Sequence, residues 1–323
     1  MKSLRNLPMA FYGVLLIIIS ISLYMLGLFV GLFELFFLEN TNFALNNIIR
    51  NSGIPMLIGL FLIFFDIQFL LPKRIVDKKV RMDPINNKSL TVVLTAYNDE
   101  ESIYHSVKDF KNNEYVKRVI VVSNNSSDKT EQNARRAGAI VVNETNQGYG
   151  HCVYRALKEG ISYNDTVLTL LSEGDCTFVS NDIYKFLAYI PHVDIVIGTR
   201  TVDQLQGNKT QLTTLMHYGN IIVGKLLEIK NMGRATISDV GTTYKLCRND
   251  SIRKNLSKLN PSINLEFNPH FLDIFIENSV EIVEIPVTFH RRKGLSKGGN
   301  INNVVAFKLA LKMIKGIIFG WKK

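Results

Sequence analysis

With 323 residues, 46% of them hydrophobic, and a formal charge of +10, the chain has room for a membrane segment plus one sizeable domain. Its three cysteines, at 152, 176 and 247, are odd in number and lack metal-type spacing. That excludes a disulfide framework and suits reduced thiols in the cytosol. The positive charge comes without an aromatic–basic module, which excludes nucleic acid as the expected partner in favour of anionic lipid headgroups and phosphorylated substrates.

Residues 11–38 are almost wholly apolar, with Glu34 the one charge, and residues 53–71 are similar, with Asp66 the one charge. Each run meets the ~20 residues a helix needs to cross a bilayer core, so residues 1–72 are expected to form a transmembrane hairpin. A cleaved signal peptide fits poorly, because the first run is too long and no small-residue cleavage site precedes the second. Lys2 and Arg5 precede the hairpin and Lys73, Arg74, Lys78, Lys79 and Arg81 follow it, whereas the intervening loop has only Arg50. The positive-inside rule then places the rest of the chain on the cytoplasmic side of the cell membrane. Residues 73–88 read as a basic linker.

A domain is expected over residues 89–299. Short apolar runs at 90–95, 119–122, 139–142 and 167–171 alternate with amphipathic stretches, which implies a mostly parallel α/β sheet covered on both faces. Beyond them, 182–189 reads as helix, 194–198 as strand and 207–227 as helix. Residues 239–246 and 281–289 read as strands with a helix at 269–278 between them. Residues 300–323 place Val304, Phe307, Leu311, Ile314 and Ile318 on one helical face, with Lys308, Lys312 and Lys315 offset and Trp321 near the end. That suits a helix lying in the membrane interface; an amphipathic helix packed on the domain fits the same pattern.

In such sheets the ligand crevice lies at the carboxyl ends of the strands, and the polar loops of this chain fall there. The fourth strand stops at Glu173 and Asp175, with only Gly174 between them. Two carboxylates this close repel unless one is protonated or a cation bridges them. A hard divalent ion that keeps positions for phosphate oxygens resolves the repulsion; a solvated acidic turn is the plainer alternative. Gly148 and Gly150 permit close backbone approach at a helix start.

These loops also carry a resemblance. "TAYNDEESI", "VIVVSNNSSDKT", "NQGYGHCVYRAL", "SEGD", "DIVIGTR", "SDVGTTYK" and "VEIPVTFHRRKGLSKG" follow one another between residues 95 and 298. In this order and spacing, the chain from about residue 90 to 297 resembles a family 2 glycosyltransferase, and within that family the dolichyl- or polyprenyl-phosphate sugar synthases. The resemblance implies a nucleotide-diphospho-sugar transferase (GT-A) fold with a mostly parallel central sheet, here preceded by the helical hairpin. It implies that Tyr97 packs against the nucleotide base and Asp99 accepts hydrogen bonds from it, with Asn124, Ser126, Asp128, Gly148 and Gly150 also around the nucleotide. Glu173 and Asp175 stand where the family carries its metal-binding Asp-x-Asp and would hold Mg²⁺ or Mn²⁺. Arg200, Arg292, Ser296 and Lys297 would bind the acceptor phosphate, Arg as a fixed fork and Lys as a mobile charge.

Asp175, Asp239 and Arg292 are the candidate catalytic residues. Three departures stand out: Ser123 and Asn124 replace two acids, Tyr149 replaces a basic residue, and His270 stands where many relatives carry an acid. The expected activity is membrane-bound, inverting transfer of a hexose from a nucleotide-diphospho-sugar to a polyprenyl (dolichyl-type) phosphate. One alternative acceptor is a hydroxyl of a lipid-linked or cell-surface glycan, which needs a base at Asp239, Glu266 or His270. A membrane-tethered nucleotide-sugar-binding protein without catalysis is the other alternative.

Overall fold

The computed structural model describes residues 8–37, 42–70, 81–207, 210, 212–294 and 303–321, in two units, Met1–Lys79 and Val80–Lys323.

In the first unit, helix α1 (Met9–Phe37) packs along helix α2 (Asn42–Phe65), which ends in one π-helical turn at Asp66–Leu70. Small residues set the crossing: a Cβ on Gly13 would lie 2.5 Å from the Gly59 carbonyl, and one on Gly59 2.6 Å from the Gly13 carbonyl. Such small-residue contacts bring helix backbones together without a hydrophobic driving force. Two polar side chains inside the pair bond across it. Ser20 Oγ donates to the Ser52 carbonyl at 2.6 Å, and Asp66 Oδ2 accepts the Ala10 N–H at 2.6 Å. Helix α2 begins before the apolar run at 53, because Ile48 and Ile49 already pack against Gly27. Over Met9–Glu34 and Asn47–Leu70 both helices are long and apolar enough to cross a membrane.

The second unit is built on seven strands: β1 (Leu90–Ala96), β2 (Val116–Ser123), β3 (Ile140–Asn143), β4 (Leu168–Glu173), β5 (Ile195–Thr199), β6 (Lys245–Arg248) and β7 (Ile282–Pro286). Its helices are α3 (Ile103–Lys111), α4 (Thr130–Ala137), α5 (Tyr149–Gly160), α6 (Ile183–Tyr189), α7 (Thr214–Lys230), α8 (Asn249–Asn255), α9 (Phe267–Glu277) and α10 (Asn303–Phe319). The sheet order is β3-β2-β1-β4-β6-β5-β7, with only β6 antiparallel to its neighbours. Strand β1 is buried along its whole length, as a central parallel strand covered by helices on both faces must be. Register pairs Ala96 with Ser123 and Thr95 with Glu173, so the loops after β1, β2 and β4 emerge side by side.

Two expected elements differ. Residues 239–244 are not strand; β6 starts only at Lys245, because Asp239 is captured by Arg200 and Thr243 turns to Glu173. Helix α7 starts at Thr214 rather than 207, where Thr213 Oγ1 accepts the Met216 N–H at 3.4 Å. Arg81, expected among the basic residues flanking the membrane, instead reaches Asp194 and Glu281, each at 2.9 Å.

Helix α10 packs on α7 and α9 through Met313, Gly316 and Ile317, while Val304, Phe307 and Leu311 stay exposed. A buried ion pair fastens this end: Lys230 Nζ lies 2.6 Å from Asp273 Oδ2, which also accepts Trp321 Nε1–H at 2.7 Å. Replacing Asp273 with Ala leaves the buried Lys230 only its weaker partner Glu277, at 3.3 Å, and strands the indole N–H, a change expected to cost about 3 kcal/mol. Denaturant unfolding followed by fluorescence of the only tryptophan checks this; an unchanged midpoint would contradict it.

Candidate active site

The carboxyl ends of β1, β4, β5 and the 239–244 segment surround a cleft of about 370 Å³, within the usual range for small-molecule sites. Tyr97, Asp99, Asn124, Gln147 and Gly148 line one side. Glu173, Asp175 and Arg292 line the middle, with Arg200, Gly241 and Asn268 beyond. Met216, Leu265, Leu309 and Met313 add an apolar lip.

On the first side, Tyr97 is 40% exposed at the cleft, where an aromatic side chain suits a planar group. Asp99 is buried: its Oδ2 accepts the Tyr97 N–H at 3.0 Å and its Oδ1 accepts Arg292 Nη2–H at 2.8 Å. Asn124 pins the loop that follows β3. Its amide donates to the carbonyls of Glu144 and Asn146, and its Oδ1 accepts the Gly148 N–H at 2.8 Å. An amide suits this place better than an acid would, because two of the contacts are carbonyls that need a donor.

Gly148 adopts φ +137°, a conformation that L side chains rarely reach. Gly150 allows close approach as expected, but the approaching group is protein: a Cβ there would lie 1.7 Å from the Ile263 carbonyl. Asp128 and Ser126 lie outside the cleft lining. Asp128 Oδ1 accepts Thr130 N–H at 2.9 Å at the start of α4, and Ser126 Oγ accepts Asn98 N–H at 3.0 Å. They shape the turns around the site.

Glu173 and Asp175 are held apart by different partners. Glu173 Oε1 accepts the Thr243 hydroxyl at 2.7 Å. Asp175 Oδ1 accepts the Thr177 N–H and hydroxyl, while its Oδ2 faces Arg292 Nη1 at 3.3 Å. Arg292 thus bridges Asp99 and Asp175. It is set there by backbone pairing, with His290 N–H on the Thr177 carbonyl and Lys293 N–H on the Asp175 carbonyl. Burial, and then repulsion from Glu173, push the Asp175 carboxyl up to about 7 against the pull of Arg292 and Thr177.

Among the described residues no three His, Cys, Asp or Glu side chains converge as a ready metal cage. The donor set is hard oxygen from Asp175 Oδ2 and Glu173, which fits Mg²⁺ or Mn²⁺ sharing its shell with phosphate oxygens and water.

Arg200 and Asp239 form a buried bidentate pair, Nε to Oδ2 and Nη2 to Oδ1 both at 2.7 Å. Asp239 also accepts the N–H groups of Arg200 and Gly241, and Glu284 accepts the Asp239 N–H from behind. Burial opposes the ionised form, but the charge and hydrogen bonds of Arg200 prevail and hold Asp239 below its ordinary range. A carboxylate so occupied orients Arg200 and is no general base. His270 is no base for this cleft either. Its Nε2 accepts the Asn260 N–H at 2.9 Å, its ring packs by Trp321, and burial pulls it down to about 4. Glu266 lies outside the cleft lining and reaches Lys312 at 3.7 Å. Ser296 and Lys297 lie outside the described residues.

Asn268, Asn220 and the apolar lip were not visible in the sequence, because they come from segments with no motif of their own; Thr243 lies within "SDVGTTYK", but nothing local shows that it reaches Glu173. A mostly parallel sheet with one inserted antiparallel strand, carrying acids, guanidinium groups and a pinned glycine loop along one edge, defines a GT-A type transferase. Residues 91–256 match the Glycosyl transferase family 2 domain, and the chain belongs to that family.

An uncharacterized protein of Methanocaldococcus jannaschii is 24% identical over 243 residues, 74% of this chain and 96% of that protein. A dolichyl-phosphate hexose transferase of Haloferax volcanii is 28% identical over 209 residues, 64% of this chain and 86% of that protein. Among solved structures, glucosyl-3-phosphoglycerate synthase of Mycobacterium tuberculosis with Mn²⁺ and UDP-glucose superposes with a TM-score of 0.52 at 12% identity. That alignment covers 73% of this chain and 80% of the synthase.

Since a cation needs Asp175 ionised, Mn²⁺ affinity should fall roughly tenfold per pH unit below about 7 and level off above it. In the cation-free protein a carboxyl with a raised pKa binds its proton more tightly when folded. Stability should therefore decline as pH rises from about 4 to about 7. Calorimetric Mn²⁺ titration and thermal melts between these limits check both; a pH-independent affinity would refute the assignment.

Proposed function

We propose that this family 2 glycosyltransferase moves a hexose from a nucleotide-diphospho-sugar to a polyprenyl (dolichyl-type) phosphate at the cytoplasmic face of a membrane. The observation that carries the reading is the two-sided cleft. Guanidinium groups for an anionic head lie within the same cavity as Met216, Leu265, Leu309 and Met313, which suit a hydrocarbon chain. Exposed Leu215, Tyr218 and Ile222 on α7, with Val304, Phe307 and Leu311 on α10, offer apolar surface next to that lip. The two apolar helices of the first unit supply a membrane tether. The Haloferax relative described as a dolichyl-phosphate hexose transferase supports the same acceptor class.

The chemistry follows from charge. A phosphate acceptor is already an anion and needs no base, which agrees with the occupied state of Asp239 and the distant place of His270. A glycan hydroxyl acceptor lacks the base it would need at any of the three positions considered for one. A phosphate oxygen attacks the anomeric carbon in line, the bond to the nucleoside diphosphate breaks, and the configuration inverts. Two anions must approach each other for this, and Arg200 and Arg292 offset their repulsion. Asp175, with Glu173, would hold a divalent cation, and the cation would supply positive charge toward the departing diphosphate. Tyr97 and the pinned 146–148 loop hold the nucleotide end.

Membranes carrying the protein, incubated with a panel of labelled nucleotide sugars and extracted with organic solvent, test this. Label in the lipid phase that is released by mild acid is expected, and Asp175→Asn should lower it by a hundredfold or so. Label confined to polymer would refute the acceptor, and undiminished transfer by Asp175→Asn would refute the cation site.

A further inference from the structure

Along the far wall of the cleft, four side chains are joined in a line that the transfer chemistry has not used. Lys245 Nζ donates to Asn268 Oδ1 at 2.9 Å, and Asn268 Nδ2 donates to Tyr149 Oη at 3.0 Å. Tyr149 Oη meets Thr243 Oγ1 at 2.5 Å, and Thr243 donates to Glu173 Oε1 at 2.7 Å.

The direction of every proton is forced. Thr243 donates its single proton to Glu173, so Tyr149 must donate to Thr243. At the other end Lys245 donates to Asn268 Oδ1 and to the Thr242 carbonyl, and the Asn268 amide also faces the Gly241 carbonyl at 3.0 Å, which only accepts. Both neighbours fix the same orientation of Asn268. The line therefore runs one way, from a buried lysine to an active-site carboxylate, and each bond polarises the next. Lys245, Asn268 and Thr243 are 1%, 5% and 1% exposed. Burying such groups is costly compared with an apolar core, so their retention specifies a geometry more than it adds stability.

The order of strands says what that geometry faces. Along the sheet edge, Tyr97 and Asn124 follow β1 and β2, Asp175 follows β4, and Thr243 precedes β6. A nucleotide on the β1–β2 side with its diphosphate at Asp175 extends its sugar toward β6. Glu173 is drawn to that side by Thr243, with one oxygen tethered and the other left for the cleft.

We infer that Lys245, Asn268, Tyr149 and Thr243 are positioning residues that fix Glu173 as the group accepting a hydrogen bond from a hydroxyl of the transferred hexose. This rests on the reading that the cleft holds a nucleotide-diphospho-sugar. Glu173 then discriminates among hexoses instead of serving chiefly as a cation ligand, and Lys245 influences donor choice without touching the donor.

Calorimetry on the full-length protein with Mn²⁺ tests the inference, using UDP-glucose against UDP and, in parallel, GDP-mannose against GDP. For the pair that the wild type binds, Thr243→Val is expected to weaken the nucleotide sugar about tenfold while its nucleoside diphosphate stays within about twofold. Thr243→Ser, which keeps the hydroxyl, should restore the wild-type value. Tyr149→Phe and Lys245→Met should move the nucleotide sugar in the same direction as Thr243→Val. Should Thr243→Val not fold, Tyr149→Phe, which deletes one oxygen, carries the test. Equal weakening of both ligands, or of neither, overturns the inference, since a merely structural chain would not single out the hexose. A wild type that binds no nucleotide sugar overturns the donor reading and this inference together. The expected split without any lipid product overturns the acceptor assignment alone.

Discussion

Parallel strands deliver their carboxyl ends to one edge, and in this protein that edge carries Asp99, Glu173 and Asp175 with Asp239 close by. Mutual repulsion among carboxylates taken largely out of water is the constraint that the remaining architecture answers. Each acid receives its own compensation. Arg292 spans Asp99 and Asp175, Arg200 forks onto Asp239, and Thr243 holds Glu173. The segment after β7 runs back beside the Asp175 turn in extended pairing because that is the route by which Arg292 reaches two acids at once. The irregular course of 239–244 has the same origin.

Under the proposed function the cations serve substrate as well as fold. Arg200 keeps its orientation from Asp239, whose own backbone N–H is held by Glu284, so a rigid fork is presented to the cleft at little entropic cost on binding. Opposite, α7 and α10 bring methionine and leucine side chains to the lip. Methionine adapts its shape to irregular hydrocarbon, which suits a flexible isoprenoid better than a stiff ring would.

The first four strands and the loops after them were legible because central parallel strands are continuous apolar runs bounded by polar turns. Asp175, Arg200 and Arg292 were legible through their motifs. Partnerships across long sequence separation were not. Nothing near Asp239 announces that Arg200, on another strand, will occupy its carboxylate, and nothing near His270 shows the Asn260 amide that claims its ring. Asn124, Asp128 and Gly150 were marked as nucleotide-binding, and their contacts in the structure are with the protein's own loops. Local pattern reports that a turn needs a polar cap or a missing side chain; it does not report what fills the space. The C-terminal helix shows the same limit, since its period is satisfied both by the face that packs on α7 and α9 and by the apolar face left outside.

The contact between Gly150 and the Ile263 carbonyl joins two halves of the cleft. With Asn264 Oδ1 accepting the Tyr149 N–H at 2.7 Å, it fuses the glycine loop to the segment carrying Leu265. A displacement of that loop on one side is then a displacement of the apolar lip on the other. Headgroup and hydrocarbon compartments joined this way are not independent: whatever tightens one must alter the other by an equal free energy in return. Two ligands of very different polarity, one from water and one from a bilayer, would meet in a site whose two rooms share a wall.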